Sequence, residues 1–327
     1  MLSPFSIYLE QIQEQLALLL FNQTVRLQVD DVVIQYHIFD TAQPLMITFP
    51  PGSEAFSDSD LIENKTPWGY DFFAKRRMNV ISFNHIGKGN YFTSNELVIF
   101  TEKLGKHLDC FCERIGYGVS RGGFATSMFS KNLRLDRALL LMPISTYDIS
   151  IASWDPKVRE AAQHLNASPD SADCDIPLTI IYDPLYKPDS MHMKRFQSCR
   201  VRFPLPGVGH RIPRALLQLG ILKSTILQYR QQQIDPASFF LKIRKRRTLS
   251  FFYRGLQSCN NTSRFSLRSR VILFHRIQYH INHLDIDPKK IYQQLSESIQ
   301  KRCFYTTERI FGHGYKNVAG LSALVLC

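Results

Sequence analysis

Gly118-Val119-Ser120-Arg121-Gly122-Gly123 is the most informative stretch of this chain. The apolar run Ile115-Gly116-Tyr117 precedes it, and a segment that can be helical follows it. A serine at the tip of a sharp turn between a strand and a helix needs small residues two positions to either side, because the two elements cross closely there. Gly118 and Gly122 meet this requirement. The pattern predicts that the Ser120 hydroxyl stands clear of a sheet, at the positive end of the helix.

Short apolar runs bounded by turn residues recur on both sides of this turn. Such runs are typical of strands buried on both faces of a parallel sheet, and the stretches between them are long enough for crossover helices. The further strand candidates are residues 32–39, 45–49, 79–83, 138–142, 176–182 and 201–205. The alternation predicts an α/β fold with a mostly parallel central sheet flanked by helices.

The clearest helix candidate covers residues 94–114. Apolar side chains recur there at helical spacing, and Ser94 is a residue type that caps helices. The apolar positions are Leu97, Phe100, Leu104, Leu108 and Phe111.

From about Asp31 to Arg230 the chain resembles an α/β-hydrolase. In that family a serine on such a turn is followed along the chain by an acid and then by a histidine. Ser120 matches the nucleophile, and His210 in Gly207-Val208-Gly209-His210 matches the histidine. Asp183, in Asp183-Pro184-Leu185 directly after a predicted strand, matches the acid. Asp189 is the alternative acid, because it lies in the same short loop.

The resemblance also implies an oxyanion hole made of two backbone N–H groups. One belongs to Arg121, and the other comes from the loop after Phe49. Pro50 and Pro51 have no N–H to donate, which leaves Gly52 or Ser53 as the second donor.

These roles imply a serine hydrolase that cleaves an ester, with no metal and no organic cofactor. His210 takes the proton of Ser120 during attack on an acyl carbon, and Asp183 orients the imidazole and stabilises its charged form. The Arg121 side chain puts a fixed cation beside the nucleophile. It either recognises an anionic substrate or points to solvent or a surface acid.

A narrower resemblance concerns four short stretches, which are similar to α/β-hydrolase-like proteins of bacterial surface-polysaccharide biosynthesis. They are residues 49–52, 83–87, 117–125 and 142–145. This resemblance implies removal or transfer of an acyl ester on a glycan. The expected substrate is therefore a small-molecule or glycan ester. Two alternatives stay open, namely an acyltransferase that uses the same triad and a catalytically inactive binding protein.

The charge distribution predicts two parts. The net charge is +12, and the excess lies in residues 236–327, which hold 16 basic and 4 acidic residues. Residues 1–235 form the hydrolase-like domain, with an N-terminal helix and a lead-in strand in residues 1–30. Residues 236–327 form a basic, mainly helical C-terminal appendage. It either contacts an anionic polymer or membrane surface, or is a solvated appendage docked on the core.

The seven cysteines show no metal-ligand spacing and predict free thiols in a cytoplasmic protein. No run is long enough to span a membrane.

His275, His280 and His283 lack an accompanying carboxylate or thiol cluster, so structural or surface roles are favoured over a metal site. Residues 148–174 are interpreted as a lid-like insertion that contains Trp154. His85 follows a strand candidate and either lines the pocket or is an ordinary loop histidine, and the second interpretation is favoured.

Overall fold

An eight-stranded sheet forms the centre of the molecule. The computed structural model describes residues 20–165, 169–232, 234–252, 256, 272–277 and 279. The strands are β1 (Thr24–Val29), β2 (Val32–His37), β3 (Leu45–Phe49), β4 (Val80–His85), β5 (Arg114–Val119), β6 (Arg137–Leu141), β7 (Leu178–Tyr182) and β8 (Cys199–Pro204). Their spatial order is β1-β2-β4-β3-β5-β6-β7-β8.

The sheet is mostly parallel, as the strand and helix alternation predicts. β2 pairs antiparallel with both β1 and β4, and every pairing from β4 to β8 is parallel. β5 lies between β3 and β6, where Gly118 is in register with Phe49 and Leu140. The turn that follows β5 therefore opens at the middle of the carboxyl edge of the sheet.

Helices cover the sheet and connect its strands. They are α1 (Asp58–Ile62), α2 (Tyr70–Ala74), α3 (Asn95–His107), α4 (Arg121–Met128), α5 (Ile149–Ala152), α6 (Pro156–Ala161), α7 (Lys187–Arg195), α8 (Ile212–Gln218), α9 (Leu222–Arg230) and α10 (Pro236–Ile243). Short 3-10 turns occupy Gly52–Glu54, Leu108–Cys110 and Arg244–Thr248. The predicted cap of α3 is confirmed, because the Ser94 side chain accepts a hydrogen bond from the Leu97 N–H.

Successive side chains of a strand point to opposite faces, so the sheet has an apolar layer on each side. Met46 joins a cluster that also includes residues of α2, α8, α9 and α10. Its neighbours Leu45 and Ile47 join a second cluster with residues of α3 and α4. Full burial of side chains of this size contributes about 1.5–3 kcal/mol each, which fixes both the register and the helix positions.

The first residues after the predicted boundary at 235 pack on the sheet. Asp235 caps α10 by accepting the N–H groups of Ala237 and Ser238. The ring of Phe239 lies 4.7 Å from that of Phe203 on β8. Arg246, in the basic run, turns inward and donates from Nε to the carbonyl of Pro206 at 3.1 Å. These contacts attach residues 236–252 to the hydrolase-like core.

Several predictions fall outside the described residues. They concern the N-terminal helix, since residues 1–19 are not described, and most of the helical C-terminal appendage, of which residues 236–252, 256, 272–277 and 279 are described. The described cysteines, Cys110, Cys112, Cys174 and Cys199, are free thiols. Within the described ranges, no helix combines the length and apolar character needed to cross a bilayer.

Candidate active site

Ser120 occupies the sharp turn between β5 and α4. Its backbone has φ 53° and ψ −111°, a conformation that residues other than glycine rarely adopt. Such strained conformations are often found at functional sites. A Cβ atom on Gly118 would overlap the carbonyl oxygen of Gly122, and one on Gly122 would overlap the carbonyl oxygen of Phe49. The two glycines therefore permit the close crossing of strand, helix and neighbouring loop that the sequence pattern predicts.

A line of hydrogen bonds runs from Ser120 to a buried carboxylate. Ser120 Oγ lies 2.8 Å from His210 Nε2, and His210 Nδ1 lies 2.5 Å from Asp189 Oδ1. A proton on Nδ1 satisfies both contacts, because Nδ1 then donates to the carboxylate and Nε2 accepts the serine hydroxyl. Asp189 is only 2% exposed, so its carboxylate is held close behind the ring.

The acid first favoured by the sequence pattern, Asp183, does not hold the imidazole. Its Oδ1 accepts the N–H of Leu185 at 2.8 Å, and its Oδ2 accepts the N–H of Gly209 at 2.5 Å. Burial raises the pKa of Asp183, and these backbone donors oppose that shift. The expected contact between Asp183 and His210 is corrected to one between His210 and the alternative acid, Asp189. Oδ2 of Asp183 instead fixes the turn just before His210, and its Oδ1 fixes the turn that follows β7.

The start of α7 explains why Asp189 reaches the histidine. This helix begins at Lys187 with a proline in its first turn, and Asp189 lies in the same turn. Proline is tolerated in the first turn of a helix and disfavoured in later turns, so Lys187-Pro188 is consistent with a helix start in the sequence. The position of this proline indicates that Asp189 lies on the helix, whereas Asp183 lies on the turn before it.

The residues proposed for the oxyanion hole line one cavity with Ser120. The cavity has a volume of about 360 Å³ and is bordered by Gly52, Ser53 and Arg121 as well as by Ser120 and His210. Arg121 is the first residue of α4, so its N–H has no partner inside the helix. The loop after Phe49 approaches α4 closely because residue 122 is a glycine.

Backbone carbonyls hold the Arg121 side chain, and it pairs with no acid among the described residues. Its Nη1 donates to the carbonyl oxygens of Lys88 and Asn90, both at 2.7 Å. The guanidinium carbon lies 3.9 Å from the centre of the Tyr91 ring. A Cβ added to Gly52 would come within 3.0 Å of the guanidinium carbon, so the group packs between Gly52 and Tyr91. Arg121 thus fastens the loops that surround the serine.

The other cavity walls were not identified from the sequence. They are Pro51, Tyr91, Met142, Ile144, Tyr147, Lys157 and Glu160. Lys157 and Glu160 lie on α6 in the lid-like insertion at 148–174, so the insertion borders the cavity as a lid-like segment would. Burial raises the pKa of the Tyr147 hydroxyl, which the Arg121 charge opposes.

A second serine, histidine and aspartate set lies behind this insertion and is closed to solvent. His192 Nδ1 lies 2.9 Å from Ser145 Oγ, and His192 Nε2 lies 3.0 Å from Asp155 Oδ2. None of these three residues is more than 3% exposed. The His192 ring also packs at a tilt against Trp154, with 4.6 Å between ring centroids. The set connects α7, which carries Asp189, to α6.

His85 differs from the loop histidine that we expected. It ends β4 and is fully buried, with its ring 5.2 Å from that of Phe92. Burial lowers its pKa to about 4, and the Arg121 charge adds to this lowering.

Among the described residues, no group of three or more metal-ligand side chains is close enough to hold an ion. His280 and His283 lie outside these residues.

The parallel sheet, the serine turn and the order Ser120, Asp189, His210 define an α/β-hydrolase fold. The predicted fold class is confirmed. No family model and no curated protein matches the sequence significantly.

Three solved structures illustrate the likeness of fold. The capsule O-acetyltransferase of Neisseria meningitidis serogroup A is 11% identical, with a TM-score of 0.44 over 65% of this chain and 96% of that one. The carboxylesterase EstE1 from a metagenomic library is 13% identical, with a TM-score of 0.42 over 70% and 97%. The serine hydrolase XC6422 of Xanthomonas campestris is 12% identical, with a TM-score of 0.38 over 65% and 97%. Similarity at this level carries no information about the reaction.

Proposed function

We propose that this protein is a serine hydrolase that cleaves a carboxylic ester through a covalent acyl-enzyme. The observation that carries the proposal is the hydrogen-bonded line from the Ser120 hydroxyl through both nitrogens of His210 to Asp189. This line starts at the wall of an open cavity, where a substrate can reach the hydroxyl.

In the first half of the reaction, Ser120 Oγ attacks the acyl carbon while His210 Nε2 takes the hydroxyl proton. Asp189 stabilises the imidazolium that forms and keeps its ring in place. The negative oxygen of the tetrahedral intermediate accepts the N–H of Arg121 and that of Gly52 or Ser53. Loss of one such donor typically raises the barrier by about 3 kcal/mol.

His210 then gives its proton to the departing alkoxide, and the acyl group stays on Ser120. In the second half, water attacks the acyl-enzyme while His210 takes a water proton. The acid leaves, and the serine recovers its proton. An acceptor hydroxyl that replaces water would make the same groups an acyltransferase. Acylated glycans therefore belong in the substrate screen together with simple esters.

The test is a screen of short acyl esters and acetylated sugars with the wild type, Ser120→Ala and Ser145→Ala. Ser145 is the matched control, because it also contacts a histidine but is completely buried. We expect Ser120→Ala to lower kcat by about 1,000-fold or more, whereas a folded Ser145→Ala retains activity. Activity that survives in Ser120→Ala, or is absent from the folded wild type, contradicts the proposal. Acylated product formed from an added sugar identifies transfer.

A further inference from the structure

The lid-like insertion places a lysine in the wall of the cavity. Lys157 lies on α6 and borders the same cavity as Ser120 and His210. Its side chain is half-buried, and burial lowers its pKa. An ammonium group withdrawn from water is stabilised when an anion pairs with it.

Two cations border this cavity, and protein groups already hold one of them. The Arg121 guanidinium donates to two backbone carbonyls and packs between Gly52 and Tyr91. Its charge still contributes a positive potential, but its position is fixed by the protein. Lys157 is the cation with freedom to meet a substrate.

The Lys157 ammonium forms no hydrogen bond or ion pair with any residue in the part of the chain that the structure describes. The carboxylate nearest along the chain, Asp155, is occupied. Its Oδ1 accepts the backbone N–H of Lys157 at 2.9 Å, and its Oδ2 contacts His192 at 3.0 Å. Asp155, Asp189 and Glu160 attract the Lys157 charge from beyond ion-pair distance, and this attraction opposes the lowering of its pKa by burial. Glu160 also borders the cavity, and its side chain is exposed.

We propose, on the basis of the proposed function, that Lys157 determines substrate specificity by binding a carboxylate or phosphate group of the ester. The favoured substrate class is then an ester that carries a negative charge within reach of the nucleophile. A charged hydrogen bond in a partly dehydrated site is stronger than a neutral one, so the charge distinguishes this class from neutral esters.

The kinetic test uses two matched pairs of esters. The first pair places the charge on the acyl side and compares 4-nitrophenyl hydrogen succinate with 4-nitrophenyl methyl succinate. The second places it on the alcohol side and compares 4-acetoxybenzoate with its methyl ester. For each pair, the readout is the ratio of kcat/KM for the anionic ester to that for the neutral ester.

We expect Lys157→Met to lower this ratio about tenfold or more in at least one pair, which also tells which side carries the charge. The control is Lys131→Met, which removes an exposed lysine outside the cavity and leaves the ratio unchanged. If Lys157→Met changes neither ratio, the inference is wrong even though the proposed function stands.

A binding measurement tests this inference independently of the proposed function, because it requires no turnover. Calorimetry on Ser120→Ala, with and without Lys157→Met, measures affinity for monoethyl succinate and diethyl succinate without turnover. We expect Ser120→Ala to bind the anionic ester more tightly, and the added Lys157→Met to remove that preference. Equal affinity of Ser120→Ala for these two esters, and also for 4-acetoxybenzoate and its methyl ester, overturns the inference whether or not the wild type is an esterase.

Discussion

The Nδ1 atom of His210 lies 2.5 Å from Oδ1 of Asp189, which is carried on the first turn of α7. This contact assigns the acid of the proposed triad to a helix rather than to the turn after β7. Asp183 takes a supporting part, because its carboxylate holds the backbone N–H of Gly209 beside the histidine.

Substitution of the two acids distinguishes these parts. We expect Asp189→Asn to lower kcat by about 1,000-fold or more while the fold persists, because the amide favours the wrong imidazole tautomer. Asp183→Asn lowers the free energy of unfolding by about 1–3 kcal/mol, because an N–H that pairs with a carboxylate oxygen loses its acceptor. Ester kinetics and urea denaturation measure both effects. A folded Asp189→Asn with wild-type kcat would contradict the assignment.

Gly122 is expected to be essential for the oxyanion hole. A Cβ at this position would overlap the backbone carbonyl of Phe49, so Gly122→Ala pushes the donor loop away from α4. We expect kcat to fall by about 100-fold or more, as for loss of an oxyanion donor. Gly89→Ala is the control, because a Cβ there meets no atom within 4 Å. Equal kcat values for the two variants would show that this close approach is not needed.

The Arg121 side chain is expected to act by positioning the loops around the serine. Arg121→Met removes the hydrogen bonds to Lys88 and Asn90, and we expect kcat for a neutral ester to fall about tenfold to 100-fold. Arg121→Lys keeps the charge but loses the planar group that packs between Gly52 and Tyr91, so it restores only part of the activity. If Arg121→Lys has the same kcat as the wild type, the positive charge alone accounts for the effect of Arg121 on activity.

His85 makes the stability of the fold depend on pH. Its pKa is lowered from 6.5 to about 4, so between these values the unfolded chain binds a proton that the native protein does not. The free energy of unfolding therefore decreases as pH falls from about 6.5 to 4, by up to about 3 kcal/mol from this residue.

The comparison variant for this effect is His85→Phe, which keeps an aromatic ring beside Phe92 and cannot be protonated. Urea denaturation of both proteins at pH 7 and pH 4.5 gives the difference in unfolding free energy. We expect this difference to shift in favour of His85→Phe at the lower pH. A difference that stays constant would show that His85 remains uncharged in the unfolded chain or becomes charged in the native one.

The order of strands and helices along the chain could be predicted from the sequence, because the patterns that indicate each element lie within a few residues of one another. The glycines around Ser120 identify the turn between β5 and α4, and apolar runs of strand length identify the parallel strands. Ser94 marked the start of α3 for the same reason, since a capping side chain acts within one helical turn.

The acid was harder to assign because the decision depends on where a helix begins. Asp183 and Asp189 both follow β7, and the direction of α7 brings only Asp189 to the histidine. The cavity walls depend on tertiary contacts. Lys157 borders the cavity from α6, which the buried pair His192 and Asp155 joins to α7. No periodicity in residues 148–174 indicates that contact.

Reaction with a fluorophosphonate probe, followed by mass spectrometry of the labelled peptide, tests the central claim most directly. A probe of this kind phosphonylates a serine that a neighbouring base activates. The account predicts one modified site, at Ser120, and loss of labelling in Asp189→Asn and Ser120→Ala. Modification at another serine, or no reaction with the folded wild type, would contradict it.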